Sequence, residues 1–301
     1  MIAVENVTQS YDKTEVLHDI NLRIEKGQIC GLVGPNGSGK TTLLKCMNGT
    51  YKPRKGQVSY DGKTIYDMPE VKQKVAYGSD TMGFAGGCSL KHIMRDMEIL
   101  YDDFSMERFL QLAERMSLDL KKRPETLSKG QYTRFVLALM FAQNAEYLLL
   151  DEPETGVDQD GKVIFRELLT KEAEEREIGV LLCSHDLESV ERLCDRVAFL
   201  KEGTIMLDAP VDDLFEQVQK WNAVAADEAV AKTLQKQDGI SVAVDHWMGK
   251  NVTLYTIGDR RLNESRLASM GLREIAKDRV SLEEVYALVM HHGNLQKEAN
   301  L

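Results

Sequence analysis

The sequence predicts an α/β core that opens with antiparallel strands, carries a helical insertion and ends in a small α+β part. Three observations predict it. The runs ICGLV (29–33), YLLLD (147–151) and VLLCS (180–184) are short and almost wholly apolar, as parallel strands covered on both faces must be. Apolar residues recur at three-to-four spacing in SLKHIMRDMEILY (89–101) and SMERFLQLAERM (105–116), a helical period lodged between the early and late strands. Helical stretches at 159–176 and 187–194 then alternate with the late strands.

In chain order, residues 1–30 alternate apolar and polar and read as twisted antiparallel strands. ICGLV leads through a glycine-rich turn into a helix from about Thr41 to Met47. GQVSYDGKTI (56–65) reads as a hairpin turning at Asp61-Gly62, a pair suited to positive φ at both positions. The insertion is helical over about 89–142. VAFL (197–200) and TIML (204–207) read as further strands. The pattern breaks around DAPVDD (208–213), which divides the chain into residues 1–208 and an accessory part, 209–301. There ISVAVDHW (240–247) and NVTLYTIG (251–258) read as two strands, and VSLEEVYALVM (280–290) as a helix with a capping box at Ser281 and Glu284.

Composition narrows the function. With 43% apolar residues in 301, the chain is globular, and a net charge of −10 argues against nucleic acid as a partner. Five cysteines form no CxxC pair and read as free thiols in a reducing compartment. MIAVENVTQS predicts no signal peptide, and the longest apolar runs are too short to cross a bilayer, so any membrane role is expected through a partner.

GPNGSGKT, Gly34 to Thr41, fits G-x-x-x-x-G-K-[ST] between an apolar strand and a helix, the context that defines a P-loop NTPase core. Gly34, Gly37 and Gly39 let the backbone curl so that N–H groups, those of Asn36 and Ser38 among them, point at phosphate oxygens. Lys40 reaches the β- and γ-phosphates, Thr41 offers a hydroxyl to magnesium, and Thr42 completes the loop. YLLLDE ends a buried strand in two acids at the sheet edge where such folds bind ligands: Asp151 is placed to hold magnesium and Glu152 to polarise an attacking water. His185 follows VLLCS at the same end of another strand.

Together these motifs resemble the nucleotide-binding subunit of ABC transporters over about residues 1–208. GPNGSGKTT resembles the Walker A motif, LSKGQ (127–131) the signature LSGGQ, and YLLLDE the Walker B motif with its adjacent glutamate. ETGVD (154–158) resembles the D-loop, SHD (184–186) the switch-histidine loop, and Tyr11 the aromatic residue that stacks on adenine. The resemblance implies the ABC ATPase fold and an enzyme that hydrolyses ATP with Mg2+, Glu152, His185 and Lys40 serving catalysis. It implies a head-to-tail dimer with a second ATP-binding subunit, identical or paralogous, in which Ser128, Gly130 and Gln131 act on the partner's nucleotide, and it makes Asp158 of the D-loop a further nucleotide-binding residue. It also implies integral membrane permease subunits that hold the chain on the cytoplasmic face of the membrane. Overall likeness is greatest to bacterial exporters of antibiotics and peptides. A soluble ABC ATPase of DNA repair or translation is disfavoured by the acidic balance and the single cassette, and a non-hydrolysing regulatory module by the intact Glu152 and His185.

The start of the signature helix is unusual. Ser128 and Gln131 fit a capping box, but Gly130 in the first turn is a poor helix former. The resemblance explains it as room for a γ-phosphate approaching across the dimer. Two residues depart from the family pattern. Lys129 replaces a glycine, and its ammonium is expected either to face the partner's phosphates or a nearby acid, or to point into solvent as surface lysines do; Asp80 stands where the Q-loop glutamine is expected and is a third candidate for magnesium. TMGFAGG (81–87) suits a hinge and, by resemblance, a contact with the membrane subunit.

Overall fold

The computed structural model describes residues 1–12, 14–66, 68–79, 82–84, 86–226 and 242–292. Asp80 lies outside the described residues, as do Thr81 and Ala85 of the expected hinge. The chain divides into two compact units, Met1–Asp186 with Glu202–Thr204, and Leu187–Lys201 with Ile205–Leu301.

The first unit holds β1 (Ile2–Tyr11), β2 (Thr14–Ile24), β3 (Ile29–Val33), α1 (Lys40–Met47), β4 (Lys55–Tyr60), β5 (Lys63–Thr64), α2 (Pro69–Lys72) and β6 (Val75–Ser79). Then follow α3 (Leu90–Leu100), α4 (Met106–Arg115), α5 (Lys129–Ala142), β7 (Tyr147–Asp151), α6 (Gln159–Arg176) and β8 (Gly179–Cys183). An antiparallel sheet runs β2-β1-β4-β5, and Asp61 and Gly62 close its last hairpin at φ 48° and 77°, the positive values expected of that pair. A second sheet places β3, β8, β7 and β6 side by side, all parallel. Every residue of β3, β7 and β8 is buried, which is why these strands read as unbroken apolar runs. Leu32, Leu149 and Leu181 have no solvent exposure, and burial of each contributes about 2 kcal/mol. Helices α3 to α5 form the insertion; α5 is buried almost continuously from Phe135 to Ala142.

The second unit holds α7 (Leu187–Leu193), β9 (Arg196–Lys201), β10 (Thr204–Pro210), α8 (Val211–Gln217), β11 (Val218–Ala225), β12 (Val242–Met248), β13 (Asn251–Ile257), α9 (Arg260–Ser269), β14 (Leu272–Asp278) and α10 (Leu282–His292). Its sheet runs β12-β13-β11-β14, antiparallel throughout. The sequence showed two of these four strands. β11 escaped because Gln219, a polar residue, is fully buried in it and breaks the alternation; β14 escaped because it is an edge strand with only Leu272 buried among charges. Among the described residues no helix is long and apolar enough to cross a membrane. All five cysteines are free thiols, as expected, and burial pushes the Cys46 thiol up to about 12.

The capping box of α10 also forms. The Glu284 amide donates to Ser281 Oγ at 3.3 Å and the Ser281 amide to Glu284 Oε2 at 2.9 Å. Glu284 Oε1 accepts from Lys220 Nζ at 2.7 Å and Tyr255 OH at 2.9 Å, so this carboxylate ties α10 to the sheet. Burial pulls the Glu284 carboxyl up, but the Lys220, Ser281 and Tyr255 donors outweigh it and hold it below its ordinary value of 4.5. A depressed carboxyl stabilises the fold fully above that ordinary value and loses its contribution as pH falls through the folded one. Glu284→Gln is therefore expected to cost about 2 kcal/mol at neutral pH, with the difference from the parent vanishing on acidification. Denaturant unfolding of both proteins at pH 7 and at about pH 3 measures this; an undiminished difference in acid would remove the carboxylate as the cause.

Candidate nucleotide site

The parallel sheet collects the site. Ser79 is in register with Asp151, Asp151 with Cys183, and Cys183 with Leu32, so the loops after β3, β6, β7 and β8 leave from one edge. The loop after β3 turns through Gly37 (φ 82°) and Gly39 (φ 109°). Gly39 cannot be replaced cheaply: a Cβ there would stand 2.7 Å from Leu17 Cδ2 and 3.3 Å from Val16 O. Gly39 is also the N-cap of α1, so no side chain caps the helix and its first amides remain for an anion. Ser38 Oγ is buried with no hydrogen-bond partner among the described residues, at a cost of about 1–3 kcal/mol that a phosphate oxygen would relieve. Asn36 is exposed at the tip of the loop.

Lys40 is only 8% exposed, and its ammonium donates to the carbonyls of Gly34 (2.6 Å) and Pro35 (3.2 Å). Those two bonds aim it into the loop and leave one of the three ammonium protons for a phosphate. Thr41 Oγ1 donates to Asp151 Oδ2 at 3.0 Å. Thr42 Oγ1 lies 3.3 Å from the Tyr11 hydroxyl, and the Tyr11 ring, 42% exposed, meets Tyr51 edge-on at 5.7 Å. The paired Thr41 and Asp151 are hard oxygen donors suited to magnesium. Among the described residues no three His, Cys, Asp or Glu side chains converge into a cage, which fits an ion that takes its remaining ligands from phosphate and water.

Glu152 follows Asp151 in the left-handed region, φ 54°, a conformation that costs a non-glycine residue about 1 kcal/mol or more. Its amide donates to Cys183 O at 3.0 Å, which fixes the turn against β8. Its carboxylate is 2.6 Å from His185 Nδ1 and accepts from Thr155 Oγ1 at 3.3 Å. The structure thus brings Gly34 to Thr42, Tyr11, Asp151, Glu152 and His185 to one edge.

Ser128, Gly130, Gln131 and Asp158 form a second cluster. Ser128 and Gln131 make the expected capping box, each side chain meeting the other's amide at 3.3 Å. Gly130 has a reason the sequence did not show. A Cβ on it would stand 2.7 Å from the carbonyl oxygen of Gly156 in the same chain, so the glycine is required by an intramolecular crossing rather than only by a partner's phosphate. Asp158 caps α6, accepting from the Gly161 amide at 2.9 Å, and pairs with Arg134 of α5; those two interactions, the amide first, hold its carboxyl below the usual range. Sequence reasoning passed over Arg134 and, although it quoted ETGVD, singled out neither Thr155 nor Gly156. The signal for Arg134 was its spacing of four from Gly130 on one helix; for Gly156, the one glycine of the 152–158 loop, nothing local pointed to the contact with Gly130. Of the expected hinge, Phe84 packs on Tyr132 and Phe135 of α5, and the Tyr132 hydroxyl donates to Met82 O.

A phosphate-cradling loop, an uncapped helix start, a hydroxyl–carboxylate pair and a carboxylate–imidazole pair on one sheet edge define a P-loop nucleotide-binding protein. The ABC transporter family model matches residues 17–155. The ABC transporter ATP-binding protein YtrB of Bacillus subtilis (strain 168) is 32% identical over 238 residues, covering 79% of this chain and 81% of that protein. The methionine import ATP-binding protein MetN 1 of Listeria innocua (serovar 6a) is 30% identical over 278 residues, covering 86% of this chain and 80% of that protein. A solved dimeric structure of a bacterial ABC transporter cassette superposes with a TM-score of 0.64 at 25% identity, over 70% of this chain and 99% of that one. The chain belongs to the ABC transporter ATP-binding family: it is the ATP-binding subunit of an ABC transporter and an ATPase.

The Gly130 crossing gives a prediction whose sign is decisive. Alanine in an open helix turn would stabilise by about 1 kcal/mol. Against the Gly156 carbonyl it is expected to destabilise by about 1–3 kcal/mol, with no nucleotide or second copy needed. Equilibrium unfolding of monomeric Gly130→Ala checks this, and a gain in stability would show that the crossing does not constrain the helix.

Proposed function

We propose that two copies of this chain, or this chain and a paralogue, close around two ATP molecules and so drive separate membrane permease subunits. The observation that carries this reading is the union of the Lys40 loop, the Thr41–Asp151 pair and the Glu152–His185 pair at one sheet edge. Tyr11 stacks the base. Gly34, Asn36, Gly37, Ser38, Gly39, Lys40 and Thr42 hold the phosphates through backbone and side-chain donors. Thr41 and Asp151 hold magnesium, which when bound supplies positive charge to the phosphate oxygens. Glu152 orients the attacking water: the water oxygen bonds to the γ-phosphorus, the bond to the β,γ-bridging oxygen breaks, and the water proton passes to the carboxylate, giving ADP and phosphate. His185, held on Glu152, steadies that carboxylate and contacts the γ-phosphate. Ser128, Gly130, Gln131 and Asp158 act on the partner's nucleotide. Residues 1–208 serve as the nucleotide-binding body and 209–301 as an accessory part that adds dimer contacts or regulates closure. Attachment to the cytoplasmic face of the membrane is through the permease.

For direction, export follows from overall likeness alone. The Listeria relative, named for methionine import, matches 86% of this chain, more than residues 1–208 contain. The accessory part is therefore no mark of export. Import is the second reading, and transport by vesicles carrying the co-purified membrane subunits decides between them.

Glu152→Gln is expected to bind ATP and dimerise while turnover falls at least a hundredfold, in the range of lost positioning and proton transfer. ATPase assays with size-exclusion chromatography in ATP measure both, and rapid turnover by the variant would remove Glu152 from its role.

A further inference from the structure

Lys129, which departs from the family's glycine, is the residue the nucleotide reading leaves over. Its Cδ and Cγ stand 2.9 and 3.0 Å from where a Cβ on Gly156 would lie, and its own Cβ 3.5 Å. On the other side, the Gly156 carbonyl fills the space beside Gly130 at 2.7 Å from that residue's Cβ position. The first turn of α5 therefore grips Gly156 from two directions, with a lysine stem and with a bare backbone.

Gly156 is the apex of the loop that begins at Glu152. Internal hydrogen bonds make the loop one unit: the Thr155 amide donates to Glu152 O at 3.1 Å, and the Val157 amide to Glu154 O at 3.2 Å. Glu154, 7% exposed, is anchored on Arg166 at 2.7 Å, and Asp158 on Arg134. Between these two anchors Gly156 has no side chain with which to hold itself, and its φ of 76° is open to a glycine's freedom. The methylenes of Lys129 supply the packing there, while Thr155 Oγ1 reaches back to the Glu152 carboxylate.

We propose that Lys129 is a positioning residue for ATP hydrolysis within its own chain: its aliphatic stem, laid on Gly156, fixes the loop that presents Glu152. The inference rests on Glu152 orienting the attacking water. It differs from the expectation that the Lys129 ammonium faces a partner's phosphates, because here the effect is carried by the methylenes that lie against Gly156. Lys129→Ala removes Cγ and Cδ but keeps a good helix former, whereas Lys129→Met keeps an unbranched stem and removes the charge.

Steady-state ATPase kinetics of the full chain test this, with thermal unfolding alongside. Lys129→Ala is expected to lower kcat roughly tenfold with KM for ATP within about twofold and melting unchanged, the pattern of a lost transition-state contribution. Lys129→Met is expected to recover most of kcat. A kcat as low in the methionine variant as in the alanine variant would overturn the proposal, as would a rise in KM alone, an unaltered kcat in Lys129→Ala, or a kcat loss that only follows a fall in melting temperature. Glu152→Gln, measured beside them, separates the two levels: rapid turnover there overturns the reading of Glu152, whereas slow turnover with equal alanine and methionine variants overturns the role of Lys129 alone.

Discussion

The register of the parallel strands is the constraint on which the site depends. Because Ser79, Asp151 and Cys183 stand side by side, each following loop starts from the same height on the sheet. A slip of one residue would turn Asp151 to the opposite face, away from Thr41, and would bury Glu152 in the strand. The register is in turn held by what packs the strands. β3, β7 and β8 are buried on both faces, so shifting any of them moves a full row of apolar side chains out of contact. Functional geometry and core packing are here one and the same requirement.

The left-handed turn at Glu152 converts this alignment into chemistry. Asp151 is the last strand residue and meets Thr41; one residue later the backbone has left the extended conformation and Glu152 meets His185. Adjacent carboxylates in an extended strand would face opposite sides of the sheet. The positive φ lets both serve one edge, and the Glu152 amide bonded to Cys183 O holds the turn open. The same loop then runs to Gly156 and Asp158, where it meets α5. One segment, 152–158, thus touches both clusters of candidate site residues.

Most of this was legible in the sequence for identifiable reasons. The glycines and lysine of 34–41, the acids after YLLLD and the histidine after VLLCS are local signals set by backbone conformation and strand ends. The capping boxes at Ser128 and Ser281 are likewise local, and both formed. What was not legible required contact across sequence. The pairing of Gly130 with Gly156 joins residues from different elements and leaves no pattern in either. β11 was obscured because Gln219 is buried through its own bonds to the Glu216, Gln217 and Gly258 carbonyls, a tertiary satisfaction that hydropathy cannot register. β14 lies at an edge, where exposure permits the charges that disguise it.

The first turn of α5 shows how a local rule and a tertiary demand share residues. A helix start needs its first amides capped, and Ser128 with Gln131 does that without help from elsewhere. Nothing in capping asks for a glycine at the second helical position. The Gly156 carbonyl asks for it, because a chain can cross a helix at that distance only where the helix has no side chain. Once the crossing is made, the path of the 152–158 loop is set from outside, by α5, rather than by its own turn chemistry. Lys129 then lies where the helix can press on the apex of the loop, and the residue that least fits the family pattern becomes the one that closes the grip.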